Sequence, residues 1–190
     1  MADDPDRRSR LLDVATALFE ARGFAAVGVD RITSAAGVGA MALYRNVGSK
    51  DQLIAAVLER WCSQWQQRLV DQLAARPGTV PQRLLQLFDV LADWFTAEDF
   101  HGSLASNAAV ELRGNPDHPA QPVIAAHRAW LHRFLEQLAA DAGVPDPPAA
   151  AEQLHLLVEG TIARALVGEG AAAAAGAQTL AARLLPPPDQ

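Results

Sequence analysis

The stretch that most constrains the fold is residues 29–50, VDRITSAAGVGAMALYRNVGSK. Val29, Ile32 and Ala36 fall at i, i+3 and i+7, on one face of a short helix. Gly37 follows, at the place just past a helix end where glycine commonly stops the turn. Val38 supplies an apolar plug for a tight turn. Residues 40–47 can form a second short helix, with Leu43 inward and Tyr44, Arg45 and Asn46 outward. Two short helices joined by a few residues around a glycine are the sequence form of a helix-turn-helix. In that motif the second helix enters the DNA major groove while the first crosses the backbone. Spacing alone fits an ordinary helical hairpin equally well.

The flanks separate the two. Ser49 is placed to cap a following long helix, with Asp51 in its first turn. Lys50 sits in that same turn, where a cation does not help the helix but is well placed to meet a phosphate.

With these residues assembled, GFAAVGVDRITSAAGVGAMALYRNVGSKDQL (residues 23–53) resembles the DNA-binding domain of the tetracycline-repressor (TetR) family. The resemblance rests on Gly23-Phe24, Val29 and Ile32, Ala36-Gly37-Val38, Leu43-Tyr44, and the Ser49-Lys50-Asp51-x-Leu53 helix start. Residues 99–119, DFHGSLASNAAVELRGNPDHP, resemble the regulatory domain of one subgroup of that family. The resemblance implies an all-helical homodimer that binds a palindromic operator and releases it when a small ligand enters the C-terminal domain.

The chain departs from the family pattern where DNA is read. Val27-Gly28 stands where members often carry two hydroxyl residues, and Gly39 where a serine often opens the recognition helix. Ala40 and Ala42 replace polar residues, and Val47 replaces a closing aromatic. The helix therefore offers few side-chain hydrogen bonds to base edges.

Net charge over the 190 residues is −6, which taken alone disfavours nucleic acid. Its distribution matters more: residues 1–60 hold eight basic and eight acidic side chains, and residues 61–190 hold eight and fourteen. A neutral small domain can still present a locally positive face to phosphate. No apolar run reaches membrane-spanning length, and MADDPDRRSR is not followed by a signal-like apolar region. A cytoplasmic protein without membrane contact is expected.

Punctuation predicts helices throughout. Residues 1–6 read as disordered. A first helix covers about 7–22, with Arg7, Arg8 and Arg10 at its entrance as a solvated cluster or an arm toward DNA. A long helix covers 49–75, ended by Arg76-Pro77-Gly78, and Pro81 opens another. A shorter helix lies within 100–113, a strong amphipathic one at 122–142, and the last well-patterned one at 149–167. The Ala-rich run 171–175 is either a final helix toward Leu185 or a frayed tail before Pro186, Pro187 and Pro188. The expected fold is all-α: a helix-turn-helix DNA-binding domain at 6–52, continuing into the long helix, and a ligand-binding and dimerisation domain at 53–190.

Cys62 is the only cysteine, which excludes an internal disulfide and a cysteine-cluster metal site. The five histidines lack i, i+4 ligand spacing, and no phosphate loop, nucleophile elbow or His-Glu-x-x-His occurs. No enzyme activity, cofactor or metal is expected. Aromatic residues concentrate after residue 60. Trp61, Trp65, Phe88, Trp94 and Trp130, with Asn107, Glu111 and His127 as polar partners, are candidates to line a cavity for a small apolar or amphipathic effector. Phe134, Leu138, Leu157, Gly160 and Ala163 are candidates for a dimer surface of paired helices.

The reading is a transcriptional regulator, a repressor by resemblance, acting on a double-stranded DNA operator as a homodimer. Thr33, Gly39, Ala40, Met41, Tyr44, Arg45, Asn46 and Lys50 are the candidate DNA contacts. Arg45 would read guanine or clamp a phosphate, Asn46 would read adenine, and Tyr44, Thr33 and Lys50 would hold the backbone. The alternative is an all-helical ligand-binding protein whose DNA-reading helix has lost its function.

Overall fold

A computed structural model describes residues 5–98 and 100–187. Among them the elements are helical: α1 (Pro5–Arg22), α2 (Val29–Ala35), α3 (Ala40–Val47), α4 (Lys50–Ala75), α5 (Val80–Phe95), α6 (Leu104–Glu111), α7 (Gln121–Asp141), α8 (Pro147–Ala165) and α9 (Gly170–Ala181). A short 3₁₀ turn, Ala182–Leu184, closes the last helix. The all-α expectation holds.

Residues 5 and 6 belong to α1, so the expected disorder over 1–6 does not extend that far, and 1–4 lie outside the described residues. The Ala-rich run resolves to the helical alternative. Ala173, Ala174, Ala177 and Ala181 are buried at i, i+1, i+4 and i+8, which gives α9 one packing face. Gln178 fixes it by donating from Nε2 to the Leu85 carbonyl (3.1 Å) and to Asp89 Oδ1 (2.9 Å).

The described chain divides into two compact units. One holds the residues up to Trp65 together with 103–127; the other holds the remainder. This grouping by packing differs from the division by role at residue 52, because α6 and the front of α7 join the N-terminal helices. The first unit is built on Leu11, Ala15 and Phe19 of α1, Phe24, Ile32 of α2, Leu43 of α3, and Leu53, Val57 and Leu58 of α4, all essentially inaccessible to water. Each of the Leu, Ile, Val and Phe side chains contributes roughly 1.5–3 kcal/mol relative to exposure. The second unit is built on Leu84, Leu87, Phe88 and Leu91 of α5, Leu131 and Leu135 of α7, and Leu154 and Val158 of α8.

Candidate nucleic-acid interface

The geometry of α2 and α3 follows from three backbone positions. Gly37 has φ +65°, a left-handed conformation that ends α2 and that other residues adopt at a cost. The chain then turns, with the Val38 N–H donating to the Thr33 carbonyl (2.9 Å). Gly39 caps α3 with extended φ and ψ, and its carbonyl accepts from the Ala42 N–H (2.8 Å). At the far end Gly48, at φ +96°, stops α3, and Ser49 Oγ accepts from the Gln52 N–H (3.1 Å) to start α4.

Leu43 and Ala42 face the core, so the outward face of α3 is Ala40, Met41, Tyr44 and Arg45. Met41 is 72% exposed and Tyr44 50%. Beside this face lies a hollow of about 370 Å³ whose walls include Arg7 and Arg10 of α1, the Gly37–Val38–Gly39 backbone, and Met41 and Arg45 of α3. Arginines far apart in sequence thus surround the exposed start of one short helix. Arg10 also makes a solvent-exposed pair with Asp6 at 3.5 Å, an interaction too weak in water to hold the guanidinium away from a polyanion. Lys50 stands half-buried in the first turn of α4.

Two of the expected contacts are not presented. Thr33 is buried, and its hydroxyl donates to the Val29 (3.1 Å) and Asp30 (3.2 Å) carbonyls of its own helix, which withdraws it from a phosphate. Asn46 is half-buried and its Nδ2 donates to the Ala42 carbonyl (2.6 Å), so its amide is folded onto α3 instead of reaching outward. Arg7 and Arg10 are the residues whose place in this group the sequence left open. Only the packing of α1 beside the turn brings them there.

Side chains from the distant segment 103–127 support this unit. Glu111 Oε2 accepts the N–H groups of Phe24 and Ala25, each at 3.0 Å. Buried His118 accepts the Ala120 N–H at Nδ1 (3.1 Å) and faces Asp51 of α4 with Nε2 3.4 Å from Oδ1. Between α1 and α4, Arg60 pairs with Asp13 (2.8 Å) and Trp61 Nε1 donates to Glu20 (2.9 Å).

The candidate ligand residues are distributed over both units. Trp61 and Trp65 stack with ring centres 6.3 Å apart, and buried His127 meets them edge-on at 6.2 and 5.4 Å. Asn107 is half-buried on α6. The Glu111 carboxylate is exposed and engaged by the turn after α1, so it is not a cavity's polar partner. In the second unit Phe88 is fully buried, Trp94 packs against Phe100 (5.1 Å), and Trp130 stacks on Phe134 (5.1 Å). Burial pushes the Cys62 thiol up to about 12, so it carries no reactive thiolate near neutral pH.

Of the candidate dimer residues, Leu138 is buried, Phe134 and Leu157 are half-buried, and Gly160 and Ala163 are exposed on α8. Leu156, also on α8, is 74% exposed, and Val167, two residues past the end of that helix, is 73% exposed. Leu156 lies four residues before Gly160 on the same helix, a spacing the sequence carried.

Comparison with known proteins agrees with this architecture. Residues 11–57, from α1 into α4, match the profile of bacterial regulatory proteins of the tetR family. The chain is 28% identical over 160 residues to the HTH-type transcriptional repressor ComR of Escherichia coli strain K12, covering 80% of this chain and 76% of ComR. A TetR-family transcriptional regulator from Streptomyces coelicolor superposes with a TM-score of 0.86 at 28% identity, over 95% of each chain. A further structure, described as a TetR transcriptional regulator of Streptomyces avermitilis MA-4680, is 32% identical with a TM-score of 0.74, covering 85% of this chain and 87% of that one. No helix among the described residues is long and apolar enough to cross a membrane. A helix-turn-helix between α1 and α4, set in an all-helical chain with a relative this similar over most of its length, makes the protein a member of the TetR family of DNA-binding transcriptional regulators.

Proposed function

We propose that the protein is a repressor that binds a palindromic operator as a homodimer and lets go when a small apolar or amphipathic ligand binds. The observation that carries the DNA contact is the arginine-lined hollow at the start of α3, where Arg7, Arg10 and Arg45 converge beside exposed Met41. In this reading Arg45 and Tyr44 enter the major groove with Ala40 and Met41. The Gly39 backbone, Lys50, Arg7 and Arg10 hold phosphates. Residues 6–52 carry the DNA contact, and the rest of the chain carries ligand binding and dimerisation. The compartment is the one that holds the DNA, the cytoplasm.

The dimer reading is supported by exposed Leu156, Gly160 and Ala163 on α8, with exposed Leu166 and Val167 just past its end. Palindromic half-sites one helical turn apart, roughly 34 Å, suit two reading helices on one face of the duplex. The ligand reading is supported by the buried Trp61, Trp65 and His127 cluster, which sets an imidazole among apolar rings.

One observation favours the alternative of a ligand-binding protein without operator recognition: Tyr44 and Arg45 are the only polar side chains on the outward face of α3. Selection of a random duplex library on the full chain, followed by affinity measurement across salt, decides between them. Retention of a common palindrome, with affinity falling steeply as salt rises, is the expected result. Recovery of no common sequence sinks operator recognition. For ligand control, compounds that raise the melting temperature by binding the folded form are expected to lower operator affinity too. A stabilising compound without effect on DNA counts against the coupling.

A further inference from the structure

We propose that Met41 is a specificity-determining residue that reads thymine in the operator through the thymine C5-methyl group. The proposal rests on the operator-binding reading above and assigns the chemistry of its first turn.

The opening turn of a recognition helix is the part that meets base edges. Here that turn contains Gly39, with no side chain, Ala40, with one methyl, and Ala42, which faces the core. Met41 is the one long side chain available there, and it stands 72% exposed while Leu43, two residues on, is fully buried. Most of Met41 is left to solvent by the fold. A thioether donates no hydrogen bond and accepts only weakly, so it cannot read the donor and acceptor pattern of a base pair. The polar residues nearby do not substitute for it, because Thr33 and Asn46 spend their groups on backbone carbonyls.

The major groove has one apolar feature, the C5-methyl of thymine. A flexible, polarisable side chain on the groove-facing row of α3 is complementary to it. Arg45 follows four residues later on the same row and shares the arginine-lined hollow with Met41. Four residues advance a helix by about 6 Å, against about 3.4 Å per base step. The contacted thymine therefore lies about one to two base pairs from the position Arg45 reads.

The test uses the full chain and the operator recovered by selection from random duplexes. Each thymine of a half-site is replaced in turn by deoxyuridine, which removes the methyl and leaves every hydrogen-bonding group in place. One position per half-site is expected to weaken binding about fourfold, the effect of one buried methyl, and substitution in both half-sites to compound it. Met41→Ala is expected to bind the thymine and uracil operators equally, and Met41→Leu to retain most of the preference. Circular dichroism checks that both variants keep their helix. If no thymine is sensitive, or if Met41→Ala keeps the thymine preference, Met41 is not the reader although operator binding stands. If no duplex is retained above a scrambled control, the operator reading fails and the assignment of Met41 falls with it.

Discussion

Glu111 occupies the space that a side chain on Gly23 would need: an added Cβ would stand 2.8 Å from its Oε1. Its other oxygen accepts the next two N–H groups, of Phe24 and Ala25. Gly23 also has φ +76°. The glycine thus serves twice, by taking a left-handed conformation and by admitting a carboxylate from eighty-odd residues away in the chain.

Gly23→Ala is expected to destabilise the protein by roughly 1–2 kcal/mol, the cost of a left-handed conformation for a residue with a Cβ. The Glu111 carboxylate can swing aside, but it then gives up both hydrogen bonds. Glu111→Ala alone is expected to cost about 1 kcal/mol, because water can reach part of the exposed turn. Adding it to Gly23→Ala should cost less than it does alone. Urea denaturation of the four proteins measures the coupling, and strict additivity would show that the glycine and the carboxylate do not act together.

The arginines about α3 give a second expectation. If Arg10 meets a phosphate and Arg45 brings its charge into the groove, replacing either with alanine should flatten the slope of log affinity against log salt, by about 0.9 for a phosphate contact. Arg45→Ala should in addition relax preference at one base position if the guanidinium reads guanine. Lys50→Ala should weaken all sequences about equally. Unchanged salt slopes for all three variants would move the DNA surface elsewhere.

Local signals account for what the sequence disclosed. Gly37, Ser49 and the buried positions Ile32 and Leu43 are read from neighbours a few residues away, so the helix-turn-helix and the start of α4 could be read in place. Arg7, Arg10 and Glu111 were different. Their roles depend on which elements pack together, and nothing near residue 111 in sequence indicates that it caps the turn at residue 24. Thr33 and Asn46 were placed at the DNA on polarity, and the structure shows both bonded to carbonyls of their own helices. Short polar side chains on a helix also bond back to their own carbonyls, and a periodicity argument does not see that choice.

His155 supplies a pH expectation. Burial holds it below its ordinary value of 6.5; Glu159 and Glu152 oppose the shift, and Arg128 and His132 reinforce it. Between the folded value and 6.5 the unfolded chain binds a proton that the folded chain refuses. Stability is therefore complete above 6.5 and is lost as pH falls toward the folded value. Melting temperature should decline over that window, and His155→Gln should decline less steeply. Identical slopes for the two proteins would show that His155 stays accessible enough to titrate normally.

The exposed face of α8 carries the last prediction. Leu156, Gly160 and Ala163 recur at 4-3 spacing, so they form one stripe along the helix, and exposed Val167 follows just past its end. Gly160 leaves open space about its backbone, with nothing within 4 Å of an added Cβ. Small residues at 160 and 163 let two helices approach closely, and Leu156 and Val167 at the ends supply apolar area. Ala163 is exposed in the single chain, so Ala163→Glu should fold normally and keep its helix content. In a dimer the same carboxylate would be buried against its symmetry mate, two like charges without partners, which the interface cannot hold. The variant is therefore expected to sediment as a monomer. It should also lose most operator affinity, since a single reading head no longer gains from the second being held nearby. A variant that sediments as a dimer and binds operator normally would place the dimer contact on another surface.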